Sequence, residues 1–319
     1  MYYIGIDGGG TKTAALLCDE EGNVLAKALE GATNPTTVRA ETVERRFQCL
    51  LDQLRESTDI HFQHVVSIFA GMSGYSRLTN EERLIGLLKN ASHPNTKVTI
   101  SYDAISALYS GTDGKPGIVN IAGTGSLTFG MNEKNITKRV GGWGYLLDHS
   151  GSGYGIGLAA LKTLFYEHDY GKRASALSTK ILTFFNVSEP QQLIPIIYDL
   201  DKSREPIASL APLILDEAER KDEVALLMID KACEEIVQSV KMVAMPLFDS
   251  DCQKEVPVVL VGGLMKRKDL FLPKLKQIWA TEWLVPDAEP VIGSVIAAKK
   301  AVGKNDELDD FAAALKEKG

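Results

Sequence analysis

The chain opens with short apolar runs that are separated by polar, glycine-containing turns. Residues 2–6 and 14–18 are mainly apolar, and a third run covers residues 24–29 after the turn 19–23. Short apolar runs bounded by Gly, Asn and Asp are typical of buried β-strands joined by tight turns. The pattern therefore predicts three consecutive strands, with the glycine-rich turn Asp7-Gly8-Gly9-Gly10-Thr11-Lys12-Thr13 between the first two.

The same pattern recurs after Pro116-Gly117. Strands are predicted over 118–122, 127–131 and 136–140, and Gly123-Thr124-Gly125-Ser126 is the turn between the first two. This repeat predicts an α/β protein of two related domains. The N-terminal domain is expected to cover residues 1–117, and the C-terminal domain residues 118–319, with a helical insertion.

The remaining segments show helical periodicity or buried-strand character. Apolar residues at helical spacing predict an amphipathic helix over 37–56, and Thr79 with Glu82 matches a capping box at the start of the next helix. Helices are predicted over 37–56, 79–91, 104–110, most of 154–245, and 289–301, and further strands over 65–70, 97–102 and 257–261.

The first glycine turn is a candidate phosphate site. Three consecutive glycines let backbone N–H groups crowd around an anion, and a nest of amides suits phosphate oxygens. Asp7 beside such a site makes sense if Mg²⁺ lies between them, since Mg²⁺ favours oxygen ligands. Thr11 and Lys12 add a hydroxyl group and a positive charge. A strand follows instead of a helix, which excludes the dinucleotide fingerprint, while a plain tight hairpin remains the alternative.

Polar residues after the other predicted strands are candidate ligand residues, because loops at the carboxyl ends of strands bind ligands in open α/β sheets. Asp103 could be a helix N-cap or a general base aimed into a cleft. Asn34 could be a turn residue, a cap or a ligand. Trp143 could be a core residue or the wall of a pocket for a sugar.

Composition narrows the class of protein. The formal net charge of −7 argues against nonspecific binding to nucleic acid or to an acidic membrane surface. No apolar stretch reaches transmembrane length, and no signal-peptide pattern follows Met1. The four cysteines are scattered, as expected of a cytoplasmic protein with reduced thiols. The polar tail from Asn305 keeps helical spacing, and it could pack on the body or on a second copy in a homodimer.

Taken in order, the motifs closely resemble the BadF/BadG/BcrA/BcrD ATPase family, which includes the N-acetylglucosamine kinases and belongs to the actin-like, sugar kinase and Hsp70 ATPase fold. The resemblance runs from Tyr2 to about Ala298. Its motifs are residues 4–13, 33–34, 102–104, 121–126, 141–144 and 261–263.

The resemblance implies two ribonuclease-H-like domains with ATP–Mg²⁺ in a deep interdomain cleft. By motif position, Asp7 would hold Mg²⁺ or its water. The phosphates would be contacted by Gly9, Gly10, Thr11 and Lys12 from one side and by Gly123, Thr124, Gly125 and Ser126 from the other, and adenosine by Gly262 and Gly263. The sugar pocket would be lined by Asn34, Ser73, Asp103, Gly142 and Trp143, with Asp103 as catalytic base.

One segment departs from the family pattern. Members usually carry Gly-Asp-Glu-Gly-Ser after the tryptophan, whereas this chain has Asp148-His149-Ser150-Gly151-Ser152. The carboxylate is displaced by one residue and His149 stands in its place. We expect Asp148 and His149 to lie in the sugar pocket. Asp148 could serve the sugar from a neighbouring position, or the pocket could suit an amino sugar other than N-acetylglucosamine.

The resemblance implies an ATP-dependent kinase that phosphorylates an amino sugar, such as N-acetylglucosamine, at a primary hydroxyl. Two alternatives stay open: an ATPase that activates a partner dehydratase or reductase, and a sugar-sensing module without catalysis. The activators hold an iron–sulfur cluster through cysteines, and the cysteines of this chain are isolated from one another. Asp7 and Asp103 speak against a module without catalysis.

Overall fold

The chain folds into two compact α/β units. A computed structural model describes residues 1–58, 62–144, 146–147, 151–199, 204–250, 253, 255–303 and 307–318. The first unit comprises Met1–Pro116 and Pro286–Gly319, and the second comprises Gly117–Val285. The predicted C-terminal domain covers all of residues 118–319. That assignment is corrected for Pro286–Gly319, which returns to the first unit.

Each unit begins with three consecutive strands, and helices and further strands follow. The strands are β1 Tyr2–Gly8, β2 Lys12–Asp19, β3 Val24–Gly31, β4 Val65–Met72, β5 Lys97–Tyr102, β6 Gly117–Ala122, β7 Ser126–Met131, β8 Thr137–Gly141, β9 Val258–Val261 and β10 Trp283–Leu284. The helices are α1 Ala40–Glu56, α2 Glu81–Ala91, α3 Asp103–Thr112, α4 Gly153–Asp169, α5 Ala176–Phe184, α6 Ile194–Ile197, α7 Arg204–Ala208, α8 Leu210–Glu219, α9 Glu223–Leu247, α10 Lys268–Ile278, α11 Pro290–Ala301 and α12 Leu308–Lys318.

Both units contain the same mixed sheet. In the first unit the strand order is β3-β2-β1-β4-β5, with β1, β2 and β3 antiparallel and with β4 and β5 parallel to β1. In the second unit the order is β10-β9-β6-β7-β8, again with three antiparallel strands followed by two parallel ones. The repeat predicted from the sequence is therefore a repeat of topology, and the predicted α/β fold is confirmed.

The first sheet is covered by helices on both faces. The apolar residues of α1 pack with α2 on one face, where Val43, Phe47 and Leu50 are fully buried. On the other face, α11 packs on α3 and β1. A side chain at Gly5 would place its Cβ atom 2.4 Å from the backbone nitrogen of Val295. This close backbone approach explains why α11 belongs to the first unit.

The second sheet is covered by the helices predicted as an insertion. The long helix α9 packs on β7 and β8, and α4 packs on α7, α8 and α9. Asp222 caps α9 by accepting a hydrogen bond from the backbone of Ala225 at 2.9 Å. Such a cap satisfies a backbone donor that the first turn of a helix leaves open. Among the helices described, none is both long and apolar enough to cross a membrane.

Two local predictions differ from the structure, and one strand was missed. Helix α1 starts at Ala40 and not at residue 37, because the N–H groups of Thr37 and Val38 bond to the carbonyl of Asn34 in a turn. The predicted capping box of Thr79 and Glu82 is wrong, since Asn80 occupies the N-cap of α2. The short edge strand β10 was not predicted.

Candidate active site

The first candidate site lies where β1 turns into β2. The N–H of Gly9 donates to the carbonyl of Lys12 at 2.9 Å and closes the turn. The N–H of Thr33, after β3, donates to the carbonyl of Gly9 at 3.2 Å, and the N–H of Ser73, after β4, donates to Gly8 at 2.8 Å. These bonds bring the ends of three strands together around one turn.

The approach of Thr33 requires glycine at position 8. A Cβ atom on Gly8 would lie 2.5 Å from the hydroxyl oxygen of Thr33, which is closer than real contacts allow. The Thr33 hydroxyl is itself fixed by a 2.9 Å hydrogen bond to that of Thr13. By contrast, a Cβ atom on Gly10 would meet nothing within 4 Å, so this part of the turn is open to a ligand.

A cavity of about 240 Å³ adjoins the turn. The Lys12 ammonium lies in it, 3.0 Å from the carboxylate of Glu289. Glu289 was predicted only as the start of the last apolar helix, and no signal in the sequence indicated its place in the cavity. The lining residues are Asp7, Gly9, Thr11, Lys12, Ala14, Glu289, Pro290 and Val291.

The Asp7 carboxyl is held in an unfavourable environment for its charge. Burial raises its pKa from 3.8 to about 7, and the charges of Asp103 and Glu289 add to this while Lys12 opposes it. A partly buried carboxyl whose ionised form is disfavoured by the charges of two other carboxyls suits a divalent cation, which would compensate the negative charge. The donor chemistry of the site therefore fits Mg²⁺.

Three predicted sugar-pocket residues form a hydrogen-bonded series in the first unit. The side-chain amide of Asn34 donates to the hydroxyl of Ser73 at 3.3 Å, and this hydroxyl bonds to the carboxyl of Asp103. Asn34 is also a turn residue, because its side-chain oxygen accepts from the backbone of Thr36 at 2.8 Å. The turn interpretation of Asn34 is confirmed, the cap interpretation is wrong because Arg39 is the N-cap of α1, and the ligand role stays a prediction.

Asp103 is the first residue of α3, while Tyr102 occupies the N-cap position. The N-cap interpretation of Asp103 is therefore wrong. Burial raises the pKa of Asp103 to about 6, against hydrogen bonds from the backbone of Ala104 and from Ser73 that favour the ionised form. A carboxyl with such a pKa is ionised at neutral pH and is still a stronger base than an ordinary aspartate.

The second glycine turn is docked on the start of α4. The N–H of Gly153 donates to the carbonyl of Gly123 at 2.7 Å, and that of Tyr154 donates to Thr124 at 3.1 Å. Ser152 caps the helix through its hydroxyl, which accepts from the backbone of Gly155 at 3.1 Å. The turn Gly123–Ser126 is thus held at the N-terminal end of a helix, where partial positive charge favours anions.

Gly262 lies next to this turn within the second unit. It adopts φ of +107°, and a Cβ atom there would lie 2.4 Å from the carbonyl oxygen of Ala122, the residue before Gly123. Only glycine tolerates both the conformation and the contact. Gly263 faces open space, since a Cβ atom there would meet nothing within 4 Å.

Trp143 is not a core residue. Its side chain is 64% exposed, and the guanidinium of Arg139 lies 4.4 Å from the ring centroid. The preceding Gly142 has φ of +74° and donates its N–H to the carbonyl of Ser126 at 3.1 Å. The Gly142–Trp143 segment therefore adjoins the second glycine turn. Asp148 and His149 lie outside the described residues.

Two curated proteins are similar to this chain over nearly its whole length. One is an N-acetyl-D-glucosamine kinase from Dictyostelium discoideum, 30% identical over 310 residues that cover 93% of this chain and 97% of that protein. The other is an N-acetylmuramic acid/N-acetylglucosamine kinase from Clostridium acetobutylicum, 30% identical over 264 residues that cover 83% of this chain and 85% of that protein.

A solved structure shares the fold. It is a protein from Chromobacterium violaceum that is provisionally named an N-acetylglucosamine kinase, with a TM-score of 0.70 and 24% identity, covering 92% of this chain and 98% of that one. The sequence also matches the model of the BadF/BadG/BcrA/BcrD ATPase family over residues 4–298. This span contains every motif discussed above. The chain belongs to the BadF/BadG/BcrA/BcrD ATPase family.

Proposed function

We propose that the chain is an ATP-dependent kinase that phosphorylates N-acetylglucosamine or a related N-acetylhexosamine at a primary hydroxyl. The two curated relatives, both named as kinases of N-acetylated amino sugars, support the substrate class. The observation that carries the proposal is the series Asn34–Ser73–Asp103, in which hydrogen bonds hold a partly buried carboxyl whose pKa is about 6.

Asp103 is the general base in this proposal. Its carboxylate accepts the proton of the sugar hydroxyl while the hydroxyl oxygen bonds to the γ-phosphorus, and the bond to the β–γ bridging oxygen breaks so that ADP leaves. A positioned base contributes about 10²–10⁴-fold to such a reaction. Ser73 and Asn34 fix the carboxylate and present polar groups to the sugar. The Asp148–His149 segment would add selectivity among amino sugars.

The first glycine turn and Lys12 would bind the phosphates, because phosphoryl transfer depends mainly on positioning and on charge stabilisation. Asp7 would hold Mg²⁺, which neutralises charge on the phosphate oxygens when bound. The fit rests on the Asp7 carboxyl that lines the cavity and on the negative charges of Asp103 and Glu289, which a cation would offset.

In the second unit, Gly123, Thr124, Gly125 and Ser126 are proposed as a further phosphate-binding turn. The backbone hydrogen bonds that hold this turn at the start of α4 support this role. Gly262 and Gly263 are proposed as a flat backbone surface for adenosine. Gly142 and Trp143, whose exposed ring is available for contact with a sugar, are proposed to complete the sugar pocket.

The experiment that tests the proposal is a screen of hexoses, amino sugars and their N-acetyl and lactyl derivatives for sugar-dependent ADP release. We expect an N-acetylated amino sugar to give the highest kcat/KM, and ADP release to stay low without sugar. ATP hydrolysis that ignores every sugar would instead support an ATPase that activates a partner enzyme. A purified protein that consumes no ATP with any sugar would contradict the kinase.

A further inference from the structure

The Lys12–Glu289 ion pair occupies the cavity beside the first glycine turn. The Lys12 nitrogen lies 3.0 Å from the Glu289 carboxylate, and both side chains line the cavity that also contains Asp7. Glu289 stands at the N-cap of α11, yet its carboxylate makes no capping hydrogen bond to that helix within the described residues. The carboxylate is instead turned to Lys12.

Another anion can replace the Glu289 carboxylate beside Lys12 at a small cost in free energy. The two side chains are 59% and 64% exposed, and water competes for both charges in an exposed ion pair, which therefore contributes little to stability. In a buried ion pair, by contrast, each incoming anion would have to lose its hydration before it could bind, which costs much more free energy.

A phosphate group that enters the cavity would meet the Lys12 ammonium that Glu289 now meets. The Lys12 ammonium is a compact charge with three donors that suits a phosphate oxygen. The first residues of α11, Pro290 and Val291, line the same cavity, and the N-terminal end of a helix adds partial positive charge.

We infer that Glu289 is an internal anion that competes with the phosphates of the nucleotide for Lys12 and so limits the affinity of the first glycine turn for polyphosphate. This inference rests on the proposed function, in which the turn binds the triphosphate. Glu289 is a positioning residue, because it acts through Lys12 and contacts no reacting atom.

The strength of this competition depends on the charge of the ligand. Repulsion between Glu289 and the ligand grows with the negative charge of the ligand. Glu289 therefore weakens the binding of metal-free polyphosphate more than that of MgATP, whose charge is partly neutralised. In this way the residue favours the metal-bound nucleotide.

The test is calorimetric binding of inorganic tripolyphosphate and of MgATP to the full chain and to Glu289→Gln. At low ionic strength we expect the variant to bind tripolyphosphate about 3–10-fold more tightly, with a smaller gain for MgATP. The gain should shrink as salt is raised, because exposed charges are screened. Asp287→Asn is the matched control, since it removes one exposed acidic charge two residues away and outside the cavity.

The double variant Lys12→Gln/Glu289→Gln distinguishes competition for Lys12 from the general effect of removing one negative charge. If Glu289 acts through Lys12, the substitution Glu289→Gln raises the affinity for tripolyphosphate clearly less in the Lys12→Gln background than in the wild type. An equal gain in both backgrounds, an unchanged or weaker affinity of Glu289→Gln, or the same gain in Asp287→Asn overturns the inference. Sugar-dependent ADP release by the wild type tests the proposed function separately, and a wild type that binds no nucleotide overturns both.

Discussion

Asp103 is the side chain on which the proposed chemistry depends. Replacing it with Asn keeps the size and most of the hydrogen bonds but removes the ability to accept a proton. We expect Asp103→Asn to lower kcat by about 10²-fold or more while the sugar still binds. Steady-state kinetics with a coupled ADP assay and calorimetric sugar binding measure the two effects. Near-normal turnover in the variant would remove Asp103 as the base.

The pKa of Asp103 also predicts a pH dependence of the rate. Burial raises this pKa to about 6, and only the ionised carboxylate can accept the hydroxyl proton. We therefore expect kcat/KM to be constant near neutral pH and to fall as the pH drops through about 6. A rate profile at saturating Mg²⁺ checks this. A profile that stays flat down to pH 5 would mean that no group with this pKa takes part.

Asp7 is expected to lower the stability of the metal-free protein. Its folded-state pKa of about 7 exceeds the ordinary 3.8, so the folded state binds this proton more tightly than the unfolded state. The stabilising proton is present at low pH and is lost as the pH rises through about 7. Ionised Asp7 therefore costs stability at pH 8.

We expect Asp7→Asn to raise the free energy of unfolding at pH 8, in EDTA, by about 1–3 kcal/mol, and the gain to shrink at pH 5. Urea denaturation at the two pH values measures it, with Asp287→Asn as an exposed control. A variant that is less stable than the wild type at pH 8 would show that the Asp7 carboxylate is well compensated in the fold.

The contact of α11 with α3 and β1 is the packing that supports both carboxyls. Asp7 lies on β1 and Asp103 begins α3, while the Ser294 hydroxyl of α11 bonds to the carbonyl of Ile6 at 3.0 Å and to the hydroxyl of Ser106 at 2.8 Å. Three elements are thus joined by one buried serine, next to the proposed reaction site.

Gly293 allows this close approach. A Cβ atom there would lie 1.9 Å from the carbonyl oxygen of Ser106, and backbone cannot move away without shifting α3. We expect Gly293→Ala to destabilise the protein by about 2–4 kcal/mol and to lower kcat. Thermal and urea unfolding measure the first effect.

Gly86 provides the matched control for that substitution. It lies inside α2, and a Cβ atom there would meet nothing within 4 Å. Because alanine is the better helix former, Gly86→Ala should stabilise the protein by about 0.5–1 kcal/mol. Equal effects of the two substitutions would contradict the proposed packing constraint at Gly293.

The first unit is completed only by the last segment of the chain. Because α11 packs on β1 and α3, a chain that ends at Val285 would expose the part of the first sheet that α11 covers. We expect the first unit of this truncated protein to lose its cooperative unfolding, and the amides of β1 to lose their protection in hydrogen exchange. The second unit, Gly117–Val285, should keep its protection.

A chain that ends at Gly303 is the control for the truncation. It retains α11 and loses α12, whose Phe311 packs edge-on against Tyr3 at 5.8 Å between ring centroids. We expect a smaller loss of stability with β1 still protected. Full protection of β1 in the chain that ends at Val285 would show that α11 is dispensable for the first unit.

The sequence alone predicted the elements that depend on local pattern. Apolar runs and glycine turns are local signals, so the first three strands of each half and the repeat between the halves were predicted near their observed bounds. The family was predicted from motif order and spacing, and the family match confirms it. Helix starts were less accurate: a turn closed on the carbonyl of Asn34 precedes α1, and Asn80, whose side chain makes no capping hydrogen bond, is the N-cap of α2.

Only the tertiary structure decided which distant residues meet. Lys12 and Glu289 are separated by 277 positions, and no local pattern pairs them. The same holds for α11, whose apolar composition predicts burial but does not specify the sheet that buries it. Packing made that choice: α11 approaches the backbone of β1 at Gly5, and its Gly293 and Ser294 lie against Ser106 of α3.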